Sequence, residues 1–176
     1  MGKICDHTSV GQVVWQGGRD LLMIERLNYP QAFALPAGHL DGDSYEDGAK
    51  RETKEEVGLE IVDNDCLFHC QVDNPCKREN GTRHNWKIYR AHFWNGEVKA
   101  VSDAKRFFWA SPERLRELAK RTEYFMGKYG LPFDRVGDLT KAIFGDPQAK
   151  KTDPEWVQEM GLEPVWYYLL KKIYYL

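Results

Sequence analysis

The segment from Asp41 to Glu60 constrains this chain more than any other stretch, because it concentrates negative charge on one short helix. It carries eight acidic and three basic side chains, a local net charge of −5 in a chain whose total is −2. Turn and capping residues at its start predict a helix N-terminus near Ser44. A proline-free run rich in Glu, Lys, Arg and Ala follows, and Gly58 stands where a helix end commonly needs a left-handed residue. The pattern predicts a helix over Tyr45 to Val57 that ends at Gly58.

Three glutamates of this helix share one face. Glu52, Glu55 and Glu56 are spaced i, i+3 and i+4, which brings their side chains together. One interpretation is a solvated acidic face that neighbouring lysines and arginines neutralise. The other is a site for a hard divalent cation, since Mg²⁺ takes oxygen ligands and commonly bridges carboxylates to substrate phosphates. The residues around the helix decide between the two.

Those residues resemble the signature of the Nudix hydrolase family (MutT-like). The signature reads Gly, five residues, Glu, seven residues, then Arg-Glu-aliphatic-x-Glu-Glu-x-Gly-aliphatic. The resemblance is carried by Leu35 to His39, by Arg51 to Leu59 and, as a late strand and helix start, by Phe107 to Leu115. It spans residues 8 to 120, and the C-terminal region lies beyond it.

The chain departs from the signature in the loop before the helix. Asp43 stands eight residues before Arg51, at the position of the family's first Glu, and four residues rather than five separate it from Gly38. Thr53 replaces an aliphatic residue. Because that first acid has a structural role in the family, the resemblance implies that Asp43 pairs with Arg51 and that the metal-binding face survives the shorter loop.

The resemblance also implies how this face works. Glu52 and Glu56 would bind Mg²⁺ or Mn²⁺ directly, Glu55 would bind it directly or through water, and the carbonyl of Ala37 would complete the shell. The same three glutamates are the predicted catalytic residues. The implied reaction is hydrolysis of a diphosphate linkage by a metal-activated water. Structural roles in the loop and helix fall to Gly38, Asp43, Arg51 and Gly58.

Other roles stay open between a functional and a structural interpretation. The general base is a signature glutamate, Glu97 or Asp103. Three residues are candidates for substrate binding: Arg26 for phosphate, Phe33 for stacking on a base, and His39 near the loop. Each also has an ordinary interpretation, as a solvated arginine, a core aromatic and a histidine that holds the loop. For His39 we favour the structural role.

The remaining pattern predicts an α/β fold, a Nudix-like α/β/α sandwich with a mixed sheet and a helical C-terminal extension. A Gly-Gly turn predicts a hairpin between strands Val10–Trp15 and Leu21–Glu25. Further strands are expected over 59–72, 84–94 and 105–109, and helices from Ser111 to about Lys128 and from Pro164 onwards. Between these helices, 130–154 is expected to be irregular, with one helical turn over 139–144. We expect a catalytic domain over 1–128 and an extension over 129–176 that packs on the same domain.

The four cysteines raise the question of zinc. Cys66, Cys70, Cys76 and His69 are suitable ligand types. However, the C-x3-C spacing has no second ligand pair, and strand alternation would put Cys66 and Cys70 on one face and His69 on the other. The pattern favours ordinary buried thiols, and a cytoplasmic location would keep all four, including Cys5, reduced.

Net charge and hydropathy limit the classes of binding partner and the cellular location that the sequence predicts. A net charge of −2 gives no overall positive field for a nucleic-acid polymer or an anionic membrane. The sequence shows no signal peptide and no apolar run long enough for a membrane span, so we expect a cytoplasmic monomer or homodimer.

The predicted function is metal-dependent hydrolysis of a nucleoside diphosphate linked to another moiety, of the nucleoside triphosphate, ADP-ribose or nucleotide-sugar type. The alternative is a Nudix-fold nucleotide-binding or sensor protein without turnover, which the shortened loop would suit. Retention of all three glutamates favours the enzyme.

Overall fold

A computed structural model describes residues 3–148, 151–173 and 175–176. Tyr174, in the predicted terminal helix, lies outside them. The strands and helices are, in chain order, β1 (Thr8–Val13), β2 (Trp15–Gln16), β3 (Asp20–Arg26), β4 (Phe33–Ala34), β5 (Ala37–Gly38), α1 (Tyr45–Val57), β6 (Glu60–Val72), β7 (His84–Asn95), β8 (Ala104–Ala110), α2 (Pro112–Tyr129), α3 (Val136–Phe144), α4 (Pro154–Gln158) and α5 (Pro164–Lys172). This order confirms the predicted α/β class and the helical C-terminal region.

The first sheet is mixed and carries the signature loop at its edge. Its strand order is β5-β1-β7-β6. β1 runs parallel to β7, with Val10 opposite Lys87, and antiparallel to β5, with Val10 opposite Gly38. β6 and β7 form a long antiparallel pair. The mixed sheet therefore places β5, which ends at Gly38, beside the start of β1.

The second sheet is antiparallel and corrects the predicted hairpin. β3 pairs with β2, β4 and β8. The Gly17-Gly18 turn has positive φ at both glycines, and it joins β2 to β3 rather than a Val10–Trp15 strand to β3. Both edges of β1 are taken by β5 and β7, so the chain changes sheets after Val13.

Helix α1 begins and ends where the sequence predicts. The Ser44 side chain accepts a hydrogen bond from the backbone N–H of Asp47 at 3.1 Å, and Gly58 adopts φ +73°. Thr53 is buried and donates its hydroxyl to the carbonyl of Ala49, which satisfies the polar group that replaces an aliphatic residue. The helix packs on one face of the first sheet through a small cluster of Val10, Leu40, Ala49 and Tyr89.

Helix α5 covers the opposite face of that sheet. Trp166 is 1% exposed and lies directly over Gly11, where a Cβ would approach its Cη2 atom to 2.3 Å. Its ring also meets Trp86 edge-on, at 5.7 Å between centroids. Together α1, the sheet and α5 form the predicted α/β/α layers. The lack of a side chain at Gly11 is what lets the indole approach β1.

The segment between α2 and α5 is more regular than expected. α3 spans nine residues where one helical turn was predicted, and α4 was not foreseen. Val136, Leu139 and Ile143 follow helical spacing and are buried, a periodicity that the sequence does contain. A second cluster forms there around Phe125, Phe144 and Trp156 with edge-to-face rings.

The C-terminal residues share the main core. Leu162, Val165, Trp166 and Leu169 belong to the same hydrophobic cluster as the strands of both sheets. The division at residue 128 stays a prediction. Among the described residues, no helix combines the length and the apolar character that a bilayer span requires.

Candidate active site

Of the three signature glutamates, Glu56 is buried, Glu52 is partly buried and Glu55 faces solvent. Glu56 is 5% exposed, and its Oε2 accepts a hydrogen bond from the backbone N–H of Ala37 at 3.0 Å. The Glu52 side chain is 13% exposed, whereas that of Glu55 is 54% exposed. The i, i+4 pair is thus held against β5, and Glu55 stands at the outer side of the same helix.

Gly38 is required by the position of Glu52. A Cβ on Gly38 would lie 2.1 Å from the carboxylate carbon of Glu52. Any side chain here would displace the carboxylate. The signature glycine therefore has a steric role, which agrees with the structural role that the resemblance implies for it.

The buried carboxylates need positive charge. Burial raises the pKa of Glu56 to about 8, although Arg26 acts in the opposite direction, and burial also raises the pKa of Glu52. The negative charge of Glu52 adds to the raised pKa of Glu56. A divalent cation with oxygen ligands would stabilise both ionised forms, so this donor set fits Mg²⁺ or Mn²⁺.

Arg51 ties the shortened loop to α1. Its Nε donates to Oδ2 of Asp43 at 2.6 Å, and its Nη2 donates to the carbonyl oxygens of His39 and Leu40 at 2.8 and 3.2 Å. Its Nη1 donates to Oε1 of Glu52 at 2.6 Å. One guanidinium thus connects the predicted loop acid to a predicted metal ligand.

The loop itself closes through residues with left-handed backbone. Asp41 and Gly42 have φ of +56° and +100°, and the N–H of Asp43 donates to the carbonyl of Leu40 at 3.0 Å. This tight turn lets Asp43 reach Arg51 although the loop is one residue shorter than the signature.

A cleft of about 280 Å³ opens beside Glu56. Arg26 lies in its wall between two carboxylates, with Nη2 3.0 Å from Oδ2 of Asp103 and Nη1 3.0 Å from Oε2 of Glu163. Although burial acts against it, these carboxylates raise the pKa of Arg26 above its usual value. The guanidinium is therefore engaged with protein groups, an arrangement that the phosphate-binding prediction did not anticipate.

Similarity to known proteins agrees with this geometry. The family model described as NUDIX domain matches residues 6–129. The chain belongs to the NUDIX domain family. A MutT NUDIX hydrolase from Burkholderia pseudomallei is 26% identical, with a TM-score of 0.52 over 61% of this chain and 84% of that one. Family membership and this similarity confirm the predicted enzyme class, a Nudix-type pyrophosphohydrolase.

Two further structures share the Nudix fold at lower identity. The E. coli dihydroneopterin triphosphate pyrophosphohydrolase is 18% identical, with a TM-score of 0.54 over 63% of this chain and 84% of that one. The NUDIX domain of Shewanella oneidensis NrtR, solved with ADP ribose, is 17% identical, with a TM-score of 0.50 over 66% and 78%. No curated protein matches the chain significantly.

Within this Nudix domain, the two candidate bases occupy different surroundings. Asp103 lines the cleft but already accepts hydrogen bonds from Arg26 and from the backbone N–H of Asn28. Glu97 is exposed in the segment after β7 and does not line the cleft. Position favours Asp103 of the two, and the assignment of the base stays a prediction.

Phe33 does not line the cleft. It is 4% exposed, meets Phe108 edge-on at 5.4 Å between centroids, and exchanges backbone hydrogen bonds with Gly161 and Glu163. The C-terminal segment covers it, so the base-stacking prediction is wrong for this residue and its core interpretation holds.

The positions expected for the cysteines of β6 are also corrected. Cys66 is exposed, and a bulge before Phe68 shifts the register, so that Cys66 pairs with Tyr89 but Cys70 pairs with Trp86. Cys66 and Cys70 therefore lie on opposite faces of β6. The expectation that they share a face is wrong, as is burial of the Cys66 thiol.

His39 and Glu163 also line the cleft. His39 places its Nε2 atom 3.2 Å from Nε2 of His84 and 3.5 Å from Sγ of Cys5, which agrees with a role in holding the loop. Glu163 is buried although it precedes Pro164 like an ordinary helix start. Its ion pair with Arg26 spans 137 positions of the chain, so no local pattern could have indicated it.

Proposed function

We propose that this Nudix protein hydrolyses a diphosphate linkage in a nucleoside diphosphate joined to another moiety, in a reaction that depends on Mg²⁺ or Mn²⁺. The observation that carries the proposal is the pair of carboxylates on one face of α1, the buried Glu56 beside the cleft and the partly buried Glu52 packed against Gly38. Burial of a carboxylate such as Glu56 is costly, and a divalent cation shared with substrate phosphates accounts for its presence beside Glu52.

Five residues have roles in the proposed reaction. Glu52 and Glu56 would hold the metal directly, with Glu55 contributing directly or through water and the Ala37 carbonyl completing the shell. When bound, the cation would neutralise phosphate charge and lower the pKa of a coordinated water. Asp103 would accept the proton of the attacking water, as the water oxygen bonds to phosphorus and the bridging oxygen leaves with its electron pair.

The substrate class follows from the diphosphate chemistry rather than from the cleft walls. Nucleoside triphosphates, ADP-ribose and nucleotide sugars each offer the required linkage. Two proteins of the same fold act on or bind such compounds, dihydroneopterin triphosphate and ADP ribose, so both belong in a test panel. We further propose a small nucleotide as partner, rather than a nucleic-acid polymer, and a cytoplasmic location.

The test is a turnover assay across this panel with Mg²⁺, Mn²⁺ and chelator. We expect a phosphate-containing product from at least one compound. Product formation should be lost on chelation and lost in Glu56→Gln. The matched control is Glu46→Gln on the same helix, since Glu46 is exposed and pairs only with Lys50 among the contacts described. Equal metal-dependent turnover in Glu56→Gln and wild type would overturn the assignment.

A second function, nucleotide binding without turnover, is favoured by one observation. Both carboxylate oxygens of Asp103 already accept hydrogen bonds, Oδ2 from Arg26 and Oδ1 from the backbone N–H of Asn28, so an attacking water would compete with these donors for its lone pairs. Calorimetry on the same panel separates the two functions, because binding with no product from any compound would support the sensor.

A further inference from the structure

Four metal-ligating side chains converge at the end of the cleft. Cys5, His39, Cys76 and His84 place one ligand atom each so that all four lie within 4.8 Å of one another. They come from four separate segments: the N-terminal segment, the signature loop, the loop after β6 and the first residue of β7. None of the four is needed for the proposed hydrolysis, so this cluster requires its own explanation.

Four of the six distances between the ligand atoms are close to those of a tetrahedral zinc site. Zinc with Zn–S bonds of about 2.3 Å and Zn–N bonds of about 2.0 Å separates its ligand atoms by ~3.8 Å (S–S), ~3.5 Å (S–N) and ~3.3 Å (N–N). Here the two sulfurs are 3.7 Å apart and the two Nε2 atoms 3.2 Å apart. Sγ of Cys5 lies 3.5 and 3.1 Å from the two imidazole nitrogens.

Hydrogen bonds around the cluster fix the tautomer of His84, so that the lone pair of its Nε2 atom faces the other ligand atoms. The indole N–H of Trp86 donates to Oδ1 of Asn74 at 3.1 Å, which identifies that atom as an acceptor. The same oxygen lies 3.2 Å from Nδ1 of His84, so Nδ1 carries the proton and donates. Nε2 of His84 is then left with its lone pair towards the cluster, the arrangement found in metal-bound histidine whose other ring N–H donates to an oxygen.

Each of the two cysteine sulfurs accepts a hydrogen bond from a nearby backbone N–H group. The backbone N–H of His7 donates to Sγ of Cys5 at 3.3 Å, and the backbone N–H of Arg78 makes the corresponding bond to Cys76. In both cases the donor is two residues after the cysteine, so the local backbone holds the two sulfurs in the same way. Gly81 leaves space for the sulfur of Cys76, because a Cβ at this position would approach that Sγ to 2.1 Å.

We propose that Cys5, His39, Cys76 and His84 bind a structural zinc ion. Four protein ligands close the coordination shell, which is typical of structural rather than catalytic zinc. The ion would fasten the N-terminal segment and the loop after β6 to the signature loop, adjacent to the backbone oxygen of His39 that Arg51 contacts. It would thereby rigidify the loop that carries Gly38, a role independent of the proposed hydrolysis.

The test begins with the metal content of full-length protein purified without chelator, measured by mass spectrometry. Expected is stoichiometric zinc in wild type and in Cys66→Ser, whose exposed thiol lies outside the cluster, and loss of most zinc in Cys76→Ser. Because Cys76→Ser could fail to fold, wild type is also stripped with a strong chelator and reloaded with Co²⁺. Intense visible bands of tetrahedral, thiolate-bound cobalt are expected, together with a higher melting temperature than that of the stripped protein.

Several results would overturn the proposal. These are wild type with no bound zinc, a Cys5–Cys76 disulfide under reducing purification, weak octahedral cobalt bands, or equal zinc in wild type and folded Cys76→Ser. Loss of hydrolysis alone is not a readout here, so failure of the zinc site and failure of the proposed activity remain distinguishable.

Discussion

The contact between Gly11 on β1 and Trp166 on α5 yields the sharpest test of how the C-terminal helix packs. In Gly11→Ala, the new Cβ would lie 2.3 Å from Cη2 and 2.6 Å from Cζ2 of the indole, far inside van der Waals contact. Overpacking of this kind costs about 1–3 kcal/mol. Trp166→Phe removes both of those ring atoms and leaves a cavity, for a cost on the order of 1–3 kcal/mol.

The losses of unfolding free energy caused by the two substitutions should not add. In the double variant, the alanine methyl enters the space that the smaller ring vacates, so the coupling should recover ~0.5–3 kcal/mol. Denaturant unfolding of the four proteins measures this cycle. Gly127→Ala is the control for the glycine change, because nothing lies within 4 Å of a Cβ there and its helical position should gain stability. Additive losses, or wild-type stability of Gly11→Ala, would show that α5 does not lie on β1 in solution.

Three more predictions concern the loop, the helix and the tail. Glu52→Gln should lower turnover at least ~100-fold with unchanged circular dichroism, because it removes ligand charge; unchanged metal-dependent turnover would contradict this. Asp43→Asn should lower the melting temperature by ~2–4 °C, for about 1 kcal/mol from a partly exposed pair with Arg51, whereas a wild-type melting temperature with abolished turnover would make Asp43 a ligand. Deleting residues 163–176 should give insoluble or destabilised protein with altered substrate preference; a truncated protein that is soluble, equally heat-stable and equally selective would refute the packing.

Local patterns were enough for helix α1 and its loop. The i, i+4 spacing of Glu52 and Glu56 placed both on one face, and the resemblance to the Nudix signature implied the Asp43–Arg51 pair that the structure shows at 2.6 Å. Gly58 marked the helix end through its left-handed backbone requirement. Each of these features depends on residues within a few helical turns of one another, which is the range that sequence patterns describe.

Long-range pairing was beyond the same reasoning. The engagement of Arg26 by Glu163, and the meeting of Cys5 with Cys76 across 71 positions, depend on how the tail and loops cross the sheets. The predicted hairpin is shorter than expected for a related reason: Trp15 pairs with Leu21 across the turn, whereas Thr8–Val13 pairs with β7, 77 positions later, where Thr8 lies opposite Asn85. No local pattern specifies a parallel partner so far along the chain.

We propose that Glu52 and Glu56 of α1 hold the catalytic metal, and Mn²⁺ binding tests this assignment without reference to any substrate. Paramagnetic resonance of free Mn²⁺ gives the affinity of wild type, Glu56→Gln and the exposed control Glu46→Gln, each carrying no more than one equivalent of zinc, which the thiolate and imidazole cluster takes in preference to carboxylates. Removal of a direct ligand should weaken binding at least ~10-fold in Glu56→Gln, while the control should match wild type. Equal Mn²⁺ affinity in all three proteins would place the metal elsewhere and contradict the account.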